Sequence, residues 1–113
     1  MGPRTKIAAI NKLLSTIREI DPQIEAHQVQ ILLEVAQKPL STRRELADAT
    51  DVALSSISRN LDALGDVHRK GKSGLGLVAK DWDPREPRRM VAWLTPKGKE
   101  VVGRLLETVS YPA

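Results

Sequence analysis

Apolar residues Ile7, Ile10, Leu13, Leu14, Ile17 and Ile20 recur at three- and four-residue spacing, with Lys12, Arg18 and Glu19 on other faces, until Asp21-Pro22 ends the run. That period predicts an amphipathic first helix with one rich stripe. A second helix is expected from about Glu25 to Gln37, with Val29, Leu32, Leu33 and Ala36 inward and Lys38-Pro39 as its stop. Thr42-Arg43-Arg44-Glu45 then fits a capping box, in which the Thr hydroxyl meets the Glu45 amide and the Glu side chain returns to the Thr amide. Leu46 and Ala47 follow as buried positions, and Thr50-Asp51-Val52 is the turn into a further helix starting near Leu54. On that helix Ile57, Leu61 and Leu64 define the buried stripe. The opposite face centres on Arg59 and includes Ser55, Ser56, Asp62 and Ala63.

Beyond Leu64 the pattern changes. Gly65 to Gly76 reads as a basic connector containing His68, Arg69, Lys70 and Lys72. Leu75–Trp82 and Arg89–Thr95 are rich in Val, Leu, Trp and Thr and flank a six-residue loop, Asp83 to Arg88, so an antiparallel hairpin is expected. Trp82 and Trp93 are expected to pack this hairpin on the helices rather than to stack on bases. Thr95-Pro96 supplies an N-cap and a first-position proline for a last helix carrying Val101, Val102, Leu105, Leu106 and Val109.

Helix, tight turn, second helix and basic hairpin, in that order, predict a winged helix-turn-helix: mainly α, with a small antiparallel β-hairpin wing. At 113 residues with 41% apolar content the chain suits a single domain, 1–113. Residues 25–95 would form the DNA-binding unit, and 1–22 and 96–113 the terminal dimerisation helices. With no cysteine there is no disulfide or thiolate metal site. No apolar run reaches the roughly 20 residues of a membrane helix, so a cytoplasmic protein without membrane association is expected. His27 and His68 stand in different elements, and Gly71–Gly76 lacks the glycine-lysine order of a phosphate loop. No enzyme, metal site or cofactor is therefore expected, and His27 reads as a helix-surface residue.

Charge sharpens the picture once it is located. The net charge is +4, and residues 59–99 carry ten Lys or Arg against five Asp or Glu, while the preceding 58 residues are balanced. The excess thus falls on the end of the recognition helix and the wing, as phosphate binding requires. Leu54, Ser55, Ser56, Ser58 and Arg59 are the expected recognition-helix contacts, since small hydroxyls permit close approach and Arg pairs bidentately with guanine. Asp62 on the same face would repel phosphate, so only the first two turns should lie deep. Arg43, Arg44, Arg69, Lys70 and Lys72 are expected on the DNA backbone, and Arg85, Arg88 and Arg89 on the wing. The spare stripes of the terminal helices predict a homodimer interface of Ile7, Ile10, Leu13, Leu14, Ile17, Val102, Leu105, Leu106 and Val109.

Asp83-Pro84-Arg85-Glu86-Pro87-Arg88, followed by Val91-Ala92-Trp93-Leu94-Thr95-Pro96-Lys97-Gly98, resembles the MarR family of bacterial winged-helix regulators, as does Leu54-Ser55-Ser56-Ile57-Ser58-Arg59-Asn60-Leu61. The resemblance covers roughly residues 25 to 104. That family shows Asp-Pro-x-Asp-Arg-Arg at the wing and Leu-Thr-x-x-Gly at the end of the second strand. Glu86 stands where its aspartate would be, Pro87 replaces one arginine, and Arg88 takes the place of the arginine that enters the minor groove. The resemblance implies a dimeric repressor on a pseudo-palindromic operator of double-stranded DNA. With one Tyr and no Phe, no small-molecule effector is carried over from the family. The alternative expectation is a winged-helix protein-interaction or architectural module.

Overall fold

The computed structural model describes residues 2–66 and 73–110. Among these residues, five helices and three strands follow in the order α1 (Pro3–Ile20), α2 (Ala26–Gln37), β1 (Ser41–Thr42), α3 (Arg43–Thr50), α4 (Leu54–Leu64), β2 (Val78–Asp83), β3 (Glu86–Leu94) and α5 (Pro96–Thr108). Each boundary has a local cause. Pro3 at the first turn opens α1, and Glu25 and Gln28 form a reciprocal capping box at the start of α2. At α3 the Thr42 hydroxyl accepts from the Glu45 amide at 3.1 Å, while a Glu45 carboxylate oxygen accepts from the Thr42 amide at 3.0 Å. Asp51, in the left-handed region at φ 57°, terminates α3 and reverses the chain into α4.

The core lies where α2, α4, α5 and the sheet meet. Ile31, Leu32 and Val35 from α2 pack with Leu46, Ile57, Leu61, Leu64, Leu77, Val78, Ala92, Val101 and Val102. Leu33, expected inward, is exposed, and Ile31 and Val35 take the buried places. The sequence of α2 is apolar at too many successive positions for periodicity to choose its inner face. Packing against α3, α4, β3 and α5 makes the choice.

The hairpin belongs to a three-stranded antiparallel sheet of order β1-β3-β2. Ser41 pairs with Ala92 and Thr42 with Val91. A two-residue strand has no readable period, so sequence pattern missed it. The first wing strand begins at Val78 rather than Leu75, because Leu75, Gly76 and Leu77 donate their amides to the carbonyls of Ala63, Gly65 and Leu64 at the end of α4. The expected six-residue loop is also much tighter. The ladder runs in register from Val78↔Leu94 to Trp82↔Met90 and then shifts to Asp83↔Glu86, so the turn is Pro84-Arg85 and β3 carries the extra residues Pro87 to Arg89.

The Leu94-Thr95-Pro96-Lys97-Gly98 segment locks the sheet to α5. Thr95 caps the helix through the Gly98 amide at 3.0 Å and donates its hydroxyl hydrogen to the Gly76 carbonyl at 2.7 Å, while its amide donates to Leu77 at 3.0 Å. A Cβ at Gly98 would collide with the Leu77 carbonyl, which is why glycine stands there.

The terminal helices pack on each other within the chain. Ala9 and Thr16 of α1 are buried, and Arg104 of α5 pairs with Glu19 at 2.9 Å. Val102 and Leu105, read as interface positions, are instead buried inside this protomer at 7% and 2% exposure, since α5 uses that face against its own domain. Ile7, Ile10, Leu14, Leu106 and Val109 are exposed, and Leu13 and Ile17 are half-buried. Trp82, expected to pack on the helices, is 57% exposed. Trp93 is half-buried.

Candidate nucleic-acid interface

A cleft of about 1090 Å³ opens between α3, α4 and the hairpin. Thr42, Arg43, Arg44, Glu45 and Asp48 form one wall, Leu54, Ser55 and Ser58 from the first turns of α4 a second, and Arg85, Arg88, Arg89 and Met90 of the wing a third. Lys38, Pro39 and Leu40 close one end. Six cationic side chains line it against two carboxylates, one of which, Glu45, is paired with Lys38. The cleft is therefore net positive, open and shaped by a helix start, as an anionic polymer requires. Ala53 at the N-cap of α4 supplies no side-chain acceptor, so the first-turn amides add to the anion-favouring field.

Eight of the expected contact residues meet here: Arg43, Arg44, Leu54, Ser55, Ser58, Arg85, Arg88 and Arg89. Ser56 and Arg59 lie on the adjoining flank of α4, where the Arg59 guanidinium donates to the Ser56 hydroxyl at 3.4 Å. Arg69, Lys70 and Lys72 fall outside the described residues, as does His68. Lys38, Leu40 and Met90 are cleft residues that sequence reasoning missed. Leu40 adopts φ 62°, a left-handed conformation unusual for leucine. Neither its type nor its neighbours signalled that.

The wing arginines divide into two kinds. Asp83 is buried, and its carboxylate accepts from the Arg85 amide at 2.9 Å, from the Arg85 guanidinium at 3.1 and 3.2 Å, and from Arg89 at 2.9 Å. The Arg85 side chain, then its amide and Arg89, hold the Asp83 carboxyl far below the usual carboxylate range despite its burial. The same pairing raises the Arg85 guanidinium. Arg88 has no ion-pair partner among the described residues and is exposed at the irregular end of β3. Two arginines thus brace the turn, and a third is presented to solvent.

On the helix side, Arg43 donates to the Ser58 hydroxyl at 3.0 Å and ties α3 to α4 at the cleft surface. Lys80 of β2 pairs with Asp62, which answers the expectation that Asp62 would oppose phosphate: its charge is compensated from within. His27 is not a free surface residue. It is half-buried and hydrogen-bonded at 3.1 Å to Asn60 of α4. No described helix is long and apolar enough to cross a membrane, and no group of three metal-ligating side chains is found among the described residues.

No protein-family profile matches the chain. It is 31% identical over 108 residues to segregation and condensation protein B of Myxococcus xanthus, covering 90% of this chain but 32% of that protein. The chain thus spans about a third of the length of this curated relative. Among solved structures it is similar to the PcaV transcriptional regulator of Streptomyces coelicolor, at 25% identity and TM-score 0.61 over 77% of this chain and 56% of that one. The MarR family transcription regulator SP03579 matches at 24% identity and TM-score 0.63, over 90% of this chain and 60% of that one. The transcriptional repressor CouR, solved on a 23-mer DNA duplex, matches at 23% identity and TM-score 0.67, over 94% and 68%. Element order, sheet topology and these likenesses give the chain a winged helix-turn-helix fold similar to that of the MarR-type regulators.

Proposed function

We propose that the chain is a sequence-specific double-stranded-DNA-binding transcriptional regulator that works as a homodimer on a pseudo-palindromic operator, most simply as a repressor. The observation that carries this reading is the net-positive cleft bounded by the first turns of α4 and by the arginines of the wing. In it Leu54, Ser55 and Ser58 face the major groove, with Leu54 suited to a thymine methyl and the hydroxyls to base edges or phosphates. Ser56 and Arg59 serve the flank of the same helix. Arg43 and Arg44 bind backbone, and so do Arg69, Lys70 and Lys72 of the connector. Arg88 reaches the minor groove, while Arg85 and Arg89 shape the wing that carries it and add backbone charge. The likeness to CouR, a repressor solved on DNA, supports the same assignment.

The two-fold face is formed by α1 and α5 through Ile7, Ile10, Leu14, Leu106 and Val109, with Leu13 and Ile17 at its edge. It would set the two recognition helices about 34 to 36 Å apart, one turn of DNA. A second reading, an architectural winged helix without operator preference, draws on the 31% identity to segregation and condensation protein B.

Selection of bound sequences from a random duplex pool, with stoichiometry measured on the winning site, separates these readings. An enriched inverted repeat occupied by two chains, preferred over random duplex by about 10³ or more, is the expected result. Tight binding without enrichment supports the architectural reading, and no binding at low salt overturns both.

A further inference from the structure

We infer that His27, remote from the cleft, is a positioning residue that sets the roll of α4 through Asn60. This rests on the reading that α4 is the DNA-reading helix. An apolar stripe of Ile57, Leu61 and Leu64 seats α4 on the core, and such packing is non-directional. Among the described residues, direction comes from three polar links to three different elements: Arg43 of α3 to Ser58, Lys80 of β2 to Asp62, and His27 of α2 to Asn60. Arg43 and Ser58 line the cleft, so phosphate would compete for the first link, and Lys80–Asp62 is a part-exposed ion pair that salt weakens, as it does not weaken a hydrogen bond to a neutral amide. Neither His27 nor Asn60 lines the cleft. At about 100° per residue Asn60 points some 160° away from Ser58, to the inner side of the helix. It is the link that survives DNA binding.

The hydrogen-bond chemistry of this link has one consistent arrangement. Asn60 is 7% exposed, and its Nδ2 donates to the Ser56 carbonyl at 2.9 Å. That fixes Oδ1 as the acceptor facing His27, so Nε2 of His27 carries the hydrogen and donates at 3.1 Å. On its other side, Nδ1 stands 3.5 Å from a carboxylate oxygen of Glu25, the N-cap of α2. The Nε2–H···Oδ1 hydrogen bond thus joins the first turn of α2 to the middle of α4. Side-chain tips ride about 5–6 Å from a helix axis, so a roll of about 10° moves them by about 1 Å. That shift spoils base hydrogen bonds, whose donor-acceptor range is about half an ångström, but barely alters phosphate attraction. Loss of His27 therefore erodes sequence discrimination more than it erodes affinity.

The test uses the full chain as wild type, His27→Ala and His27→Gln, whose amide N–H can still donate to Asn60. Affinity is measured on the selected site and on a random duplex of equal length, over a range of salt. His27→Ala is expected to narrow the preference by about three- to tenfold, the worth of one hydrogen bond, with affinity for random duplex and its salt slope unchanged. His27→Gln should recover most of the loss. If wild type discriminates and His27→Ala discriminates equally, the inference alone is overturned; if wild type does not discriminate, the operator reading falls with it. Should His27→Ala not fold, His27→Gln and the tautomer seen in ¹⁵N spectra of the wild-type imidazole decide. A hydrogen on Nε2 with discrimination retained in His27→Gln supports the link, and a hydrogen on Nδ1 alone or loss of discrimination in His27→Gln overturns it.

Discussion

At Arg88 the sequence motif and the tertiary structure point to the same side chain for different reasons. The wing motif singled it out by position, and the structure leaves it exposed and unpaired among the described residues while Arg85 and Arg89 brace Asp83. Arg88→Ala should therefore weaken DNA binding and lower the salt slope by about one unit, the loss of one phosphate contact, without changing thermal stability. An unchanged slope in a salt titration overturns the assignment. The pairing of Arg85 and Arg89 was not legible, because Asp83 becomes buried only when the turn closes to two residues. Gly98 offers a second single-residue test. Its replacement by alanine drives a Cβ into the Leu77 backbone carbonyl, which cannot step aside as a side chain would. Chemical denaturation should show a loss of roughly 1–3 kcal/mol.

Among the elements, the wing is the one whose stability should depend on acid. Asp83 titrates well below its unfolded value of about 3.9, chiefly through the hydrogen bonds from Arg85. A depressed carboxylate contributes fully above the unfolded value and loses its contribution as pH falls through the window below about 4. Asp83→Asn should therefore flatten the decline of stability in that window and speed amide exchange at the β2–β3 tip near neutral pH. An Asn variant that declines with acid as steeply as wild type contradicts the bracing role. The helical elements were more legible than the sheet. Capping at Thr42 and Thr95 and the stripe of α4 are local properties of residues three or four apart, and they appear where expected. β1 and the irregular register near the turn depend on residues some fifty positions apart or on one buried carboxylate, and no local pattern records them.

For the whole molecule, the proposed homodimer divides the apolar surface into residues spent within the chain and residues left for a second copy. Leu14 and Leu106 are more than half exposed, whereas Leu105, one residue away from Leu106, is 2% exposed. Leu14→Glu combined with Leu106→Glu should yield a folded monomer by sedimentation, with operator affinity reduced at least tenfold because half-sites are no longer held together. Leu105→Ala should instead cost about 2–5 kcal/mol of fold stability, as a core truncation does. A double variant that remains dimeric places the two-fold axis elsewhere.

The sequence alone determined the helices, the caps at Thr42 and Thr95, the order that builds a winged helix-turn-helix, and the concentration of charge between Arg59 and Lys99. These follow from short-range periodicity and side-chain chemistry. Only the tertiary structure decided which arginines are tied to Asp83, which face of α2 and α5 is spent on the protomer's own core, and that His27 reaches Asn60. Each of those depends on what lies across a gap from a residue distant in the chain, and burial and hydrogen bonding are properties of the pair.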